Sequence, residues 1–301
     1  MKNSNALQIR MCYKLRMAKE MNISTSRVVV VTDLDGSLLD YFTYSWEAAL
    51  PAISLLKRRK IPLVFCTSKT LAELVYLQTK MRIFDPFISE TGGAIWFPPR
   101  CVKGKLAGAK KVGQLYAIIL GLPYRALRSA LVAYREEYNL DLVGFGDLPP
   151  ERVAKLCDVP IEVGRLVKMR DFDEPFFFTT PPTSRLLEKM RRDFARQGMR
   201  IIQGGRFYHL VGKSDKGQAI SRLRQWYEEK SGGSVTIVGL GDSPNDIALF
   251  AASDIPILIK RHDGRYHPLV RAAIRTRLAG DVGPVGWNRA VLKILGEKTV
   301  W

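Results

Sequence analysis

The chain alternates short, continuously apolar runs with longer segments whose apolar residues recur at helical spacing. The apolar runs cover residues 28–31, 61–66 and 235–240, and each ends in polar or glycine-containing sequence. Runs of this kind are typical of strands that are buried on both faces of a parallel sheet. The segments at 45–59 and from residue 70 have the period of amphipathic helices. The pattern therefore predicts an α/β fold whose core is a doubly wound parallel sheet.

The central part of the chain follows a different pattern, in which short strands and charged amphipathic helices are mixed. Gly204 and Gly205 separate two strand-like segments and predict a β-hairpin there. This pattern predicts an inserted α+β domain with a small sheet of its own. Near the C-terminus, the sequence predicts one apolar helix at residues 289–295. We expect a basic N-terminal extension at residues 1–26. A core in two segments, 27–107 and 212–301, follows, with the insert at 108–211 between them.

The N-terminal extension, residues 1–26, is basic and rich in methionine. Its lysines and arginines outnumber its single acid, Glu20, and its apolar residues do not form a convincing helical or strand face. We expect this extension to be disordered, or to result from a start codon placed too early, since Met11, Met17 and Met21 could each be the first residue. An arm that binds nucleic acid or a membrane surface is the alternative.

The chain of 301 residues carries a strong excess of positive charge. Its 47 Lys and Arg residues outnumber 29 Asp and Glu residues, which gives a formal net charge of +18 and a pI near 9.9. This balance suits an anionic partner, whether nucleic acid, a membrane surface or a phosphorylated metabolite. No apolar run is long enough to span a bilayer, and the N-terminus has no apolar segment typical of a secretory signal. Four cysteines without a Cys-x-x-Cys pair favour a reduced, cytoplasmic chain over a disulfide framework or a zinc site.

Polar side chains with complementary chemistry follow the predicted strands. Asp33 and Asp35 end the first strand, and Gly36 then allows a sharp turn. Ligands of open α/β sheets bind beyond the carboxyl ends of the strands, so residues at these ends can converge at one edge. The other residues at this edge are Thr67 after the second strand, Asp242 and Asp246 after the late strand, and Lys216 at the start of the helix before it.

Together these groups have the chemistry of phosphate-ester hydrolysis. The carboxylates of Asp33 and Asp242, with a backbone carbonyl, form an oxygen-rich site for Mg²⁺, which would neutralise a phosphoryl group together with Lys216. One carboxylate can attack phosphorus to form an aspartyl-phosphate, and an acid two residues later can protonate the leaving oxygen. Each feature alone has an ordinary structural explanation, such as Thr67 capping a helix. Their occurrence together, in this order, favours an enzyme.

The same residues resemble the four motifs of haloacid-dehalogenase-type (HAD-like) phosphatases. The motifs are Asp33-x-Asp35-Gly36, Thr67, Lys216 and Gly241-Asp242-x-x-Asn245-Asp246. The place of the insert, between the third strand and the motif lysine, is similar to the larger α/β cap of the sugar-phosphatase branch. Further segments resemble the mannosyl-3-phosphoglycerate phosphatase family, namely Thr67-Ser68-Lys69-Thr70, Pro86-Phe87-Ile88-Ser89-Glu90, Arg170-Asp171-Phe172-Asp173-Glu174-Pro175, Gly205-Arg206-Phe207-Tyr208 and Ser214-Asp215-Lys216-Gly217.

The resemblance implies a HAD-like, Rossmannoid core and a Mg²⁺-dependent reaction that converts mannosyl-3-phosphoglycerate to mannosylglycerate, a compatible solute, and phosphate. It implies that Asp33 is the nucleophile and that Asp35 is the general acid/base. It implies that Thr67, Ser68 and Lys216 bind the phosphate. It implies that Asp33, the carbonyl of Asp35 and Asp242 bind Mg²⁺, and that Asn245 and Asp246 support this site.

The rest of such a substrate, a glycerate carboxylate and a hexose, requires further contacts. A guanidinium group can bind a carboxylate through two parallel hydrogen bonds, so Arg170 and Arg206 are candidates in the insert. Lys69 is the candidate in the core, and Glu90 is a further candidate because it belongs to the family segments. Glu174 can accept hydrogen bonds from sugar hydroxyls. A pair between Arg170 and Glu174 on the surface of the insert is the alternative.

Other functions stay open at this point. The nearest is a phosphatase for glucosyl-3-phosphoglycerate or another sugar phosphate, and a phosphosugar mutase of the same fold is another. The alternative from a different class is a basic nucleic-acid-binding protein on a degenerate phosphatase fold. The complete catalytic set argues against it, as do basic residues that are not interleaved with an aromatic recognition motif. We therefore expect a phosphorylated small molecule as the partner, with no nucleic acid and no membrane.

Overall fold

The computed structural model describes residues 27–296 except residues 103, 105 and 205, so the predicted extension at 1–26 lies outside the described residues. The strands are β1 (Val28–Thr32), β2 (Leu63–Phe65), β3 (Phe87–Ser89), β4 (Ala94–Phe97), β5 (Lys110–Val112), β6 (Leu115–Ile119), β7 (Leu142–Gly144), β8 (Asp173–Phe178), β9 (Met199–Gln203), β10 (Tyr208–Gly212), β11 (Thr236–Gly241), β12 (Ile255–Lys260) and β13 (Arg277–Val282). The helices are α1 (Leu50–Arg58), α2 (Leu71–Met81), α3 (Tyr124–Glu137), α4 (Pro150–Cys157), α5 (Ile161–Val167), α6 (Ser184–Arg196), α7 (Lys216–Ser231), α8 (Ile247–Ala251), α9 (Pro268–Ala273) and α10 (Gly283–Ile294). Within the described part of the chain, no helix has both the length and the apolar character needed to cross a membrane.

A five-stranded parallel sheet forms the centre of the core, in the order β13-β12-β11-β1-β2. Strand β1 lies between β11 and β2 and pairs in parallel with both. Its side chains alternate between two apolar clusters, with Val28 and Val30 in one and Val29 and Val31 in the other. Because both faces of the sheet are covered, every residue of β1 is buried. The predicted doubly wound parallel sheet is confirmed.

Two layers of helices cover this sheet. Helices α1, α2 and α10 contribute to the cluster that contains Val28 and Val30, and α7, α8 and α9 contribute to the cluster on the other face. Trp287 of α10 is fully buried, and its indole Nε1 donates a 2.9 Å hydrogen bond to the hydroxyl of Thr32. Thr32 is the last residue of β1, so α10 packs directly behind the sheet edge where the predicted chemistry lies.

The C-terminal part of the core differs from the sequence prediction in two respects. The sequence pattern does not predict β13, because this edge strand lacks a continuous apolar run and only Ala279 within it is buried. Helix α10 begins at Gly283 rather than at residue 289, since Pro284 in the first turn fits a helix start. Gly286 allows the first turn of the helix to lie close to the preceding chain, because a Cβ atom there would lie 2.0 Å from the carbonyl oxygen of Asp281.

A four-stranded antiparallel sheet links the core to the insert, in the order β3-β4-β6-β5. An isolated parallel bridge between Cys66 and Ile88 connects β3 to the end of β2. Strand β6 pairs with β4 and with β5, and neither β5 nor β6 pairs with the sheet of the insert. The limits of the insert at residues 108–211 remain a prediction. Because β5 and β6 belong to the sheet that contains β3 and β4, we propose that the insert begins nearer residue 120.

The second antiparallel sheet belongs to the insert and has the order β7-β8-β10-β9. Strands β9 and β10 pair as the predicted hairpin, of which Gly205 lies outside the described residues. Helices α3 and α6 pack on one face of this sheet through a cluster that includes Phe176 and Leu210. Because side chains alternate along a strand, the neighbouring residues Pro175 and His209 lie on the other face, which borders a cavity between the insert and the core.

Candidate active site

Asp33 and Asp35 follow the carboxyl end of β1. The backbone N–H of Asp33 donates a 2.8 Å hydrogen bond to the carbonyl oxygen of Leu240 in β11, which holds the residue at the sheet edge. Gly36 has a φ of 78°, and a Cβ atom there would lie 3.1 Å from a carboxylate oxygen of Asp242. Glycine is therefore needed at this turn both for its backbone freedom and for the close approach of Asp242.

Lys216 is fully buried at the start of α7. Its ammonium lies 2.7 Å from Asp33 Oδ1, 2.6 Å from Asp246 Oδ1 and 3.3 Å from Asn245 Oδ1. Asp215 caps α7 and thereby fixes where the helix begins. A buried ammonium is costly unless it is paired, so the two carboxylates stabilise Lys216 at this position. The structure thus joins the first, third and fourth motifs in one set of contacts.

The loop after β11 uses Asp246 to hold Asp242 in place. Asp246 Oδ2 accepts 3.1 Å hydrogen bonds from the backbone N–H groups of Asp242 and Ser243. The hydroxyl of Ser37 donates to Asp242 Oδ1 at 3.2 Å. Asp246 is thus occupied by the loop backbone and by Lys216, whereas no hydrogen bond from the described residues reaches Asp242 Oδ2. Asp242 is therefore the freer of the two to bind a further group.

The acidic cluster at this edge has the composition of a metal site. Carboxylate oxygens of Asp33, Asp242 and Asp246 all lie within 4.8 Å of one another. Burial raises the pKa of Asp33 to about 7, although the ammonium of Lys216 opposes this shift. Burial and the two neighbouring carboxylates likewise raise the pKa of Asp242. Three carboxylates lie around a single ammonium, so they still repel one another. A divalent cation coordinated by their oxygens would reduce this repulsion, and the described residues fit such an ion.

Thr67 and Ser68 follow the carboxyl end of β2. Thr67 is buried, and its carbonyl oxygen accepts a 2.9 Å hydrogen bond from the N–H of Thr91. Its hydroxyl accepts a hydrogen bond from the N–H of Lys69 at 3.4 Å. Ser68 borders the cavity together with Asp33. The structure therefore places both residues at the predicted sheet edge, with Ser68 at the cavity surface and Thr67 behind it.

Asp35 borders the cavity and pairs with Lys69. The ammonium of Lys69 lies 2.9 Å from Asp35 Oδ2 and 3.7 Å from a carboxylate oxygen of Glu73. Asp35 Oδ1 is buried and has no hydrogen-bond partner among the residues that the structure describes. Lys69 thus orients the carboxylate of Asp35, and one oxygen of that carboxylate stays available to a ligand.

Arg170 joins the insert to the core. Its guanidinium donates to the carbonyl oxygens of Ser68 at 2.7 Å and Val167 at 2.9 Å, and Nη1 lies 3.2 Å from Asp173 Oδ2. Only 7% of the side chain is exposed. The pair with Glu174 that the sequence left open is not present, because Asp173 takes that place. Arg170 borders the cavity, but most of its donors are already used.

The other two candidates of the insert lie in different surroundings. Glu174 is fully buried on the face of β8 that points away from the cavity, where its carboxylate lies 3.3 Å from the guanidinium of Arg128. Arg206 borders the cavity, donates a 3.0 Å hydrogen bond to the carbonyl oxygen of Cys157, and lies over the ring of Tyr41. Arg206 is therefore placed to meet a substrate, and Glu174 is not.

Glu90 connects the core to the insert through hydrogen bonds. Its carboxylate accepts hydrogen bonds from the backbone N–H groups of Asp171 at 3.1 Å and Phe172 at 2.7 Å, just before β8. The side chain is buried, and burial raises its pKa to about 8 even though the nearby guanidinium of Arg170 lowers it. These contacts give Glu90 a structural role between the core and the insert, and its predicted substrate contact stays a prediction.

We expect Glu90→Gln to make the stability of the protein less dependent on pH. The pKa of folded Glu90, about 8, lies above the ordinary value of 4.5, so between these values the folded chain holds a proton that the unfolded chain has lost. The wild-type protein therefore loses stability as the pH rises through this window. Gln cannot ionise but still accepts the two hydrogen bonds. Thermal unfolding of both proteins between about pH 5 and pH 9 measures the effect, and equal pH slopes would contradict it.

His209 of β10 borders the cavity and pairs with Asp173 of β8, and neither residue was among the predicted site residues. His209 Nδ1 lies 2.8 Å from Asp173 Oδ2. The antiparallel register of the two strands, in which His209 lies opposite Pro175, brings the pair together. The available signal was that Asp173 lies within a family segment and that His209 directly follows another.

The fold and this site define the class of the protein. No protein-family profile matches the chain. Among solved structures, a phosphatase of the HAD enzyme superfamily from Bacteroides thetaiotaomicron has a TM-score of 0.63 and 16% sequence identity, and the match covers 91% of this chain and 97% of that chain. A likeness at this identity concerns the fold, and it confirms the HAD-like core with an inserted cap. The acidic cluster around Lys216 lies at the sheet edge expected for this class of phosphatase.

Two relatives give the narrower assignment. The glucosyl-3-phosphoglycerate/mannosyl-3-phosphoglycerate phosphatase of Methanococcoides burtonii is 38% identical over 271 residues, which cover 89% of this chain and 97% of that protein. The mannosyl-3-phosphoglycerate phosphatase of Pyrococcus furiosus is 32% identical over 231 residues, which cover 77% of this chain and 90% of that protein. The chain belongs to the mannosyl-3-phosphoglycerate phosphatase family of HAD-type phosphoric monoester hydrolases.

Proposed function

We propose that this protein is a Mg²⁺-dependent phosphatase that hydrolyses mannosyl-3-phosphoglycerate to mannosylglycerate and phosphate, and that it also accepts glucosyl-3-phosphoglycerate. The observation that carries the proposal is the buried contact of Lys216 with Asp33 and Asp246 beside the cavity between core and insert. A carboxylate nucleophile next to a buried ammonium supports phosphoryl transfer. The names of both relatives support the mannosyl substrate, and the name of the M. burtonii relative supports the glucosyl one.

In the first half-reaction, a carboxylate oxygen of Asp33 attacks the phosphorus of the bound monoester while the bond from phosphorus to the glycerate oxygen breaks. Lys216, Thr67 and Ser68 bind the phosphoryl oxygens and stabilise their charge. Asp35 gives its proton to the departing oxygen, so the hexosyl-glycerate leaves as an alcohol. The unpartnered Oδ1 of Asp35 supports this role, because it is free to carry that proton.

In the second half-reaction, a water molecule attacks the phosphorus of the aspartyl-phosphate while the bond from phosphorus to Asp33 breaks. Asp35, now ionised, accepts the proton that this water loses. Phosphate leaves, and both aspartates return to their starting states. The contact of Lys69 with Asp35 Oδ2, at 2.9 Å, holds the carboxylate in one orientation for both proton transfers.

The carboxylates of Asp33 and Asp242 and the carbonyl of Asp35 would hold Mg²⁺. Bound Mg²⁺ supplies positive charge that offsets the negative charge of the phosphoryl group. Asp246 keeps Asp242 in position through the loop backbone, and Asn245 contacts the ammonium of Lys216. The raised pKa values of Asp33 and Asp242 support a cation here, because burial and the neighbouring carboxylates disfavour the ionised forms and a bound cation would favour them.

The cavity-lining basic side chains would bind the glycerate carboxylate. Arg206 is the stronger candidate, because it borders the cavity and stays exposed despite its contacts with Tyr41 and Cys157. Lys69 borders the cavity too, although Asp35 and Glu73 engage it. Arg170 would act indirectly, by holding the carbonyl of Ser68.

We also propose that the enzyme is cytoplasmic and that its partner is a phosphorylated small molecule. The described cysteines Cys66, Cys101 and Cys157 are free thiols, which suits a reducing compartment. The net charge of +18 would attract an anionic substrate of this kind.

A substrate panel tests the proposal. Phosphate release is measured from mannosyl-3-phosphoglycerate, glucosyl-3-phosphoglycerate, 3-phosphoglycerate and p-nitrophenyl phosphate, each with Mg²⁺ and with a chelator. We expect the highest kcat/KM for the two hexosyl substrates and loss of all four activities with the chelator. Faster hydrolysis of a phosphate ester that lacks the hexose, or activity that resists the chelator, would contradict the proposal.

A further inference from the structure

His209 lies on the insert side of the cavity and has one ring nitrogen that no described residue engages. Its side chain is 11% exposed, and Nδ1 lies 2.8 Å from Asp173 Oδ2. Because a carboxylate accepts hydrogen bonds, Nδ1 carries the proton, and Nε2 is left for another partner. Within the described residues, no hydrogen bond engages Nε2.

Asp173 holds the imidazole from a rigid position. It is fully buried, and its Oδ2 also lies 3.2 Å from the guanidinium of Arg170, which donates to the carbonyl oxygen of Ser68 in the core. The orientation of the His209 ring is therefore tied to the position of the insert on the core. A side chain that is fixed in this way by buried partners is preorganised to recognise a ligand.

Gly204 leaves the space next to Nε2 open. A Cβ atom at this position would lie 2.9 Å from His209 Nε2 and 3.2 Å from its Cδ2. The backbone of Gly204 does not have a positive φ, so its conformation alone does not demand glycine. Gly204 also borders the cavity. The missing side chain is therefore better explained by the room that it gives to the imidazole.

We propose that His209 determines specificity by accepting, through Nε2, a hydrogen bond from a hydroxyl group of the hexose. The assignment rests on the proposed function. With the phosphate bound at Asp33 and Lys216 in the core, the hexose extends toward the insert, where Pro175 and Phe207 form an apolar surface beside His209. A sugar presents both hydroxyl groups and apolar C–H faces. His209 offers a partner for the hydroxyl groups, and Pro175 and Phe207 offer a surface for the C–H faces.

Two substitutions of His209 separate recognition from a purely structural role. Asn places an amide nitrogen near the position of Nδ1, so His209→Asn keeps a donor for Asp173 and removes Nε2. Gln places its amide near Nε2, so His209→Gln keeps a polar group at that position and loses the contact with Asp173. For each variant, kcat/KM is measured for mannosyl-3-phosphoglycerate and for 3-phosphoglycerate, together with the Tm.

We expect His209→Asn to lower kcat/KM for the hexosyl substrate by about tenfold to a hundredfold, the usual scale of one lost hydrogen bond in a buried site, and far more than for 3-phosphoglycerate. Its Tm is expected to stay close to that of the wild type, and His209→Gln is expected to keep more of the hexosyl preference. Gly204→Ala, which crowds Nε2 without removing it, is expected to show the same selective loss as His209→Asn.

The outcomes distinguish this assignment from the proposed function. A wild-type enzyme that does not prefer the hexosyl substrate over 3-phosphoglycerate would overturn the proposed function and this assignment with it. A wild-type preference that persists in His209→Asn, or equal losses on both substrates, would overturn the assignment alone. A normal Asn variant beside a Gln variant with a lowered Tm would show that His209 serves only to pair with Asp173.

Discussion

Asp33→Asn is expected to reduce turnover by about 10⁴-fold or more, the scale of removing a covalent nucleophile. An amide oxygen is a poor nucleophile toward phosphorus, although Asn fills the same volume and can still accept a hydrogen bond from Lys216. The Tm is expected to stay the same or to rise at neutral pH and above, because burial raises the pKa of Asp33 to about 7 and so disfavours its ionised form. Initial rates of phosphate release and thermal unfolding measure the two effects.

Asp35→Asn is the companion variant for this experiment. It keeps the nucleophile and removes the proton donor, so it is expected to be slow at forming or hydrolysing the aspartyl-phosphate while Asp33 can still carry it. Rapid quenching followed by intact-mass measurement detects a phosphorylated chain in Asp35→Asn and none in Asp33→Asn. Substantial activity in Asp33→Asn, or a phosphorylated chain in that variant, would rule out Asp33 as the nucleophile.

Lys216→Met is expected to have the second large effect, on activity and stability together. The loss of one preorganised charge at the phosphoryl group costs about 10²- to 10³-fold in kcat. Asp33 and Asp246 would also stay buried without their ammonium, at a cost of about 3 kcal/mol or more. Lys216 lowers the pKa of Asp33, so in its absence Asp33 becomes a weaker acid. The loss of stability should therefore grow as the pH rises and the carboxylates ionise.

Lys213→Met is the matched control, because Lys213 lies three residues earlier and is exposed. It changes the net charge by the same amount without entering the buried cluster. We expect near wild-type kcat and Tm for Lys213→Met, and a Tm for Lys216→Met that recovers in part when the pH is lowered. A Lys216→Met protein with wild-type stability at high pH would mean that the buried ion pairs do not stabilise the fold.

Most of the core site could be predicted because its signals are local. A run of β-branched residues predicts a buried strand, and Asp33 stands at the end of that strand in both the sequence and the structure. The carboxyl ends of parallel strands share one edge, so the neighbourhood of Asp33, Asp242 and Lys216 follows from the order of elements. The contacts themselves, such as the 2.7 Å between Lys216 Nζ and Asp33 Oδ1, depend on how α7 packs against the sheet.

The substrate side of the cavity could not be predicted in the same way. Asp173 and Glu174 are adjacent in the chain, but alternation along β8 turns Asp173 toward Arg170 and His209 and turns Glu174 toward Arg128. From the sequence, Glu174 is named as the partner of Arg170, because the pattern of a short strand in the insert does not reveal which of its faces borders the core.

By itself, the sequence determined the parallel core and the sheet edge that carries the acids and the lysine. It also determined the chemistry that these groups can perform. Both follow from properties of the chain, namely the spacing of its apolar residues and the chemistry of its side chains. The tertiary structure decided which residues meet across the cavity. It made Glu90 and Arg170 links between the insert and the core, and it brought His209 to Asp173, which lies 36 positions away in the chain. Such contacts depend on strand register and on how the insert packs against the core, which no local pattern encodes.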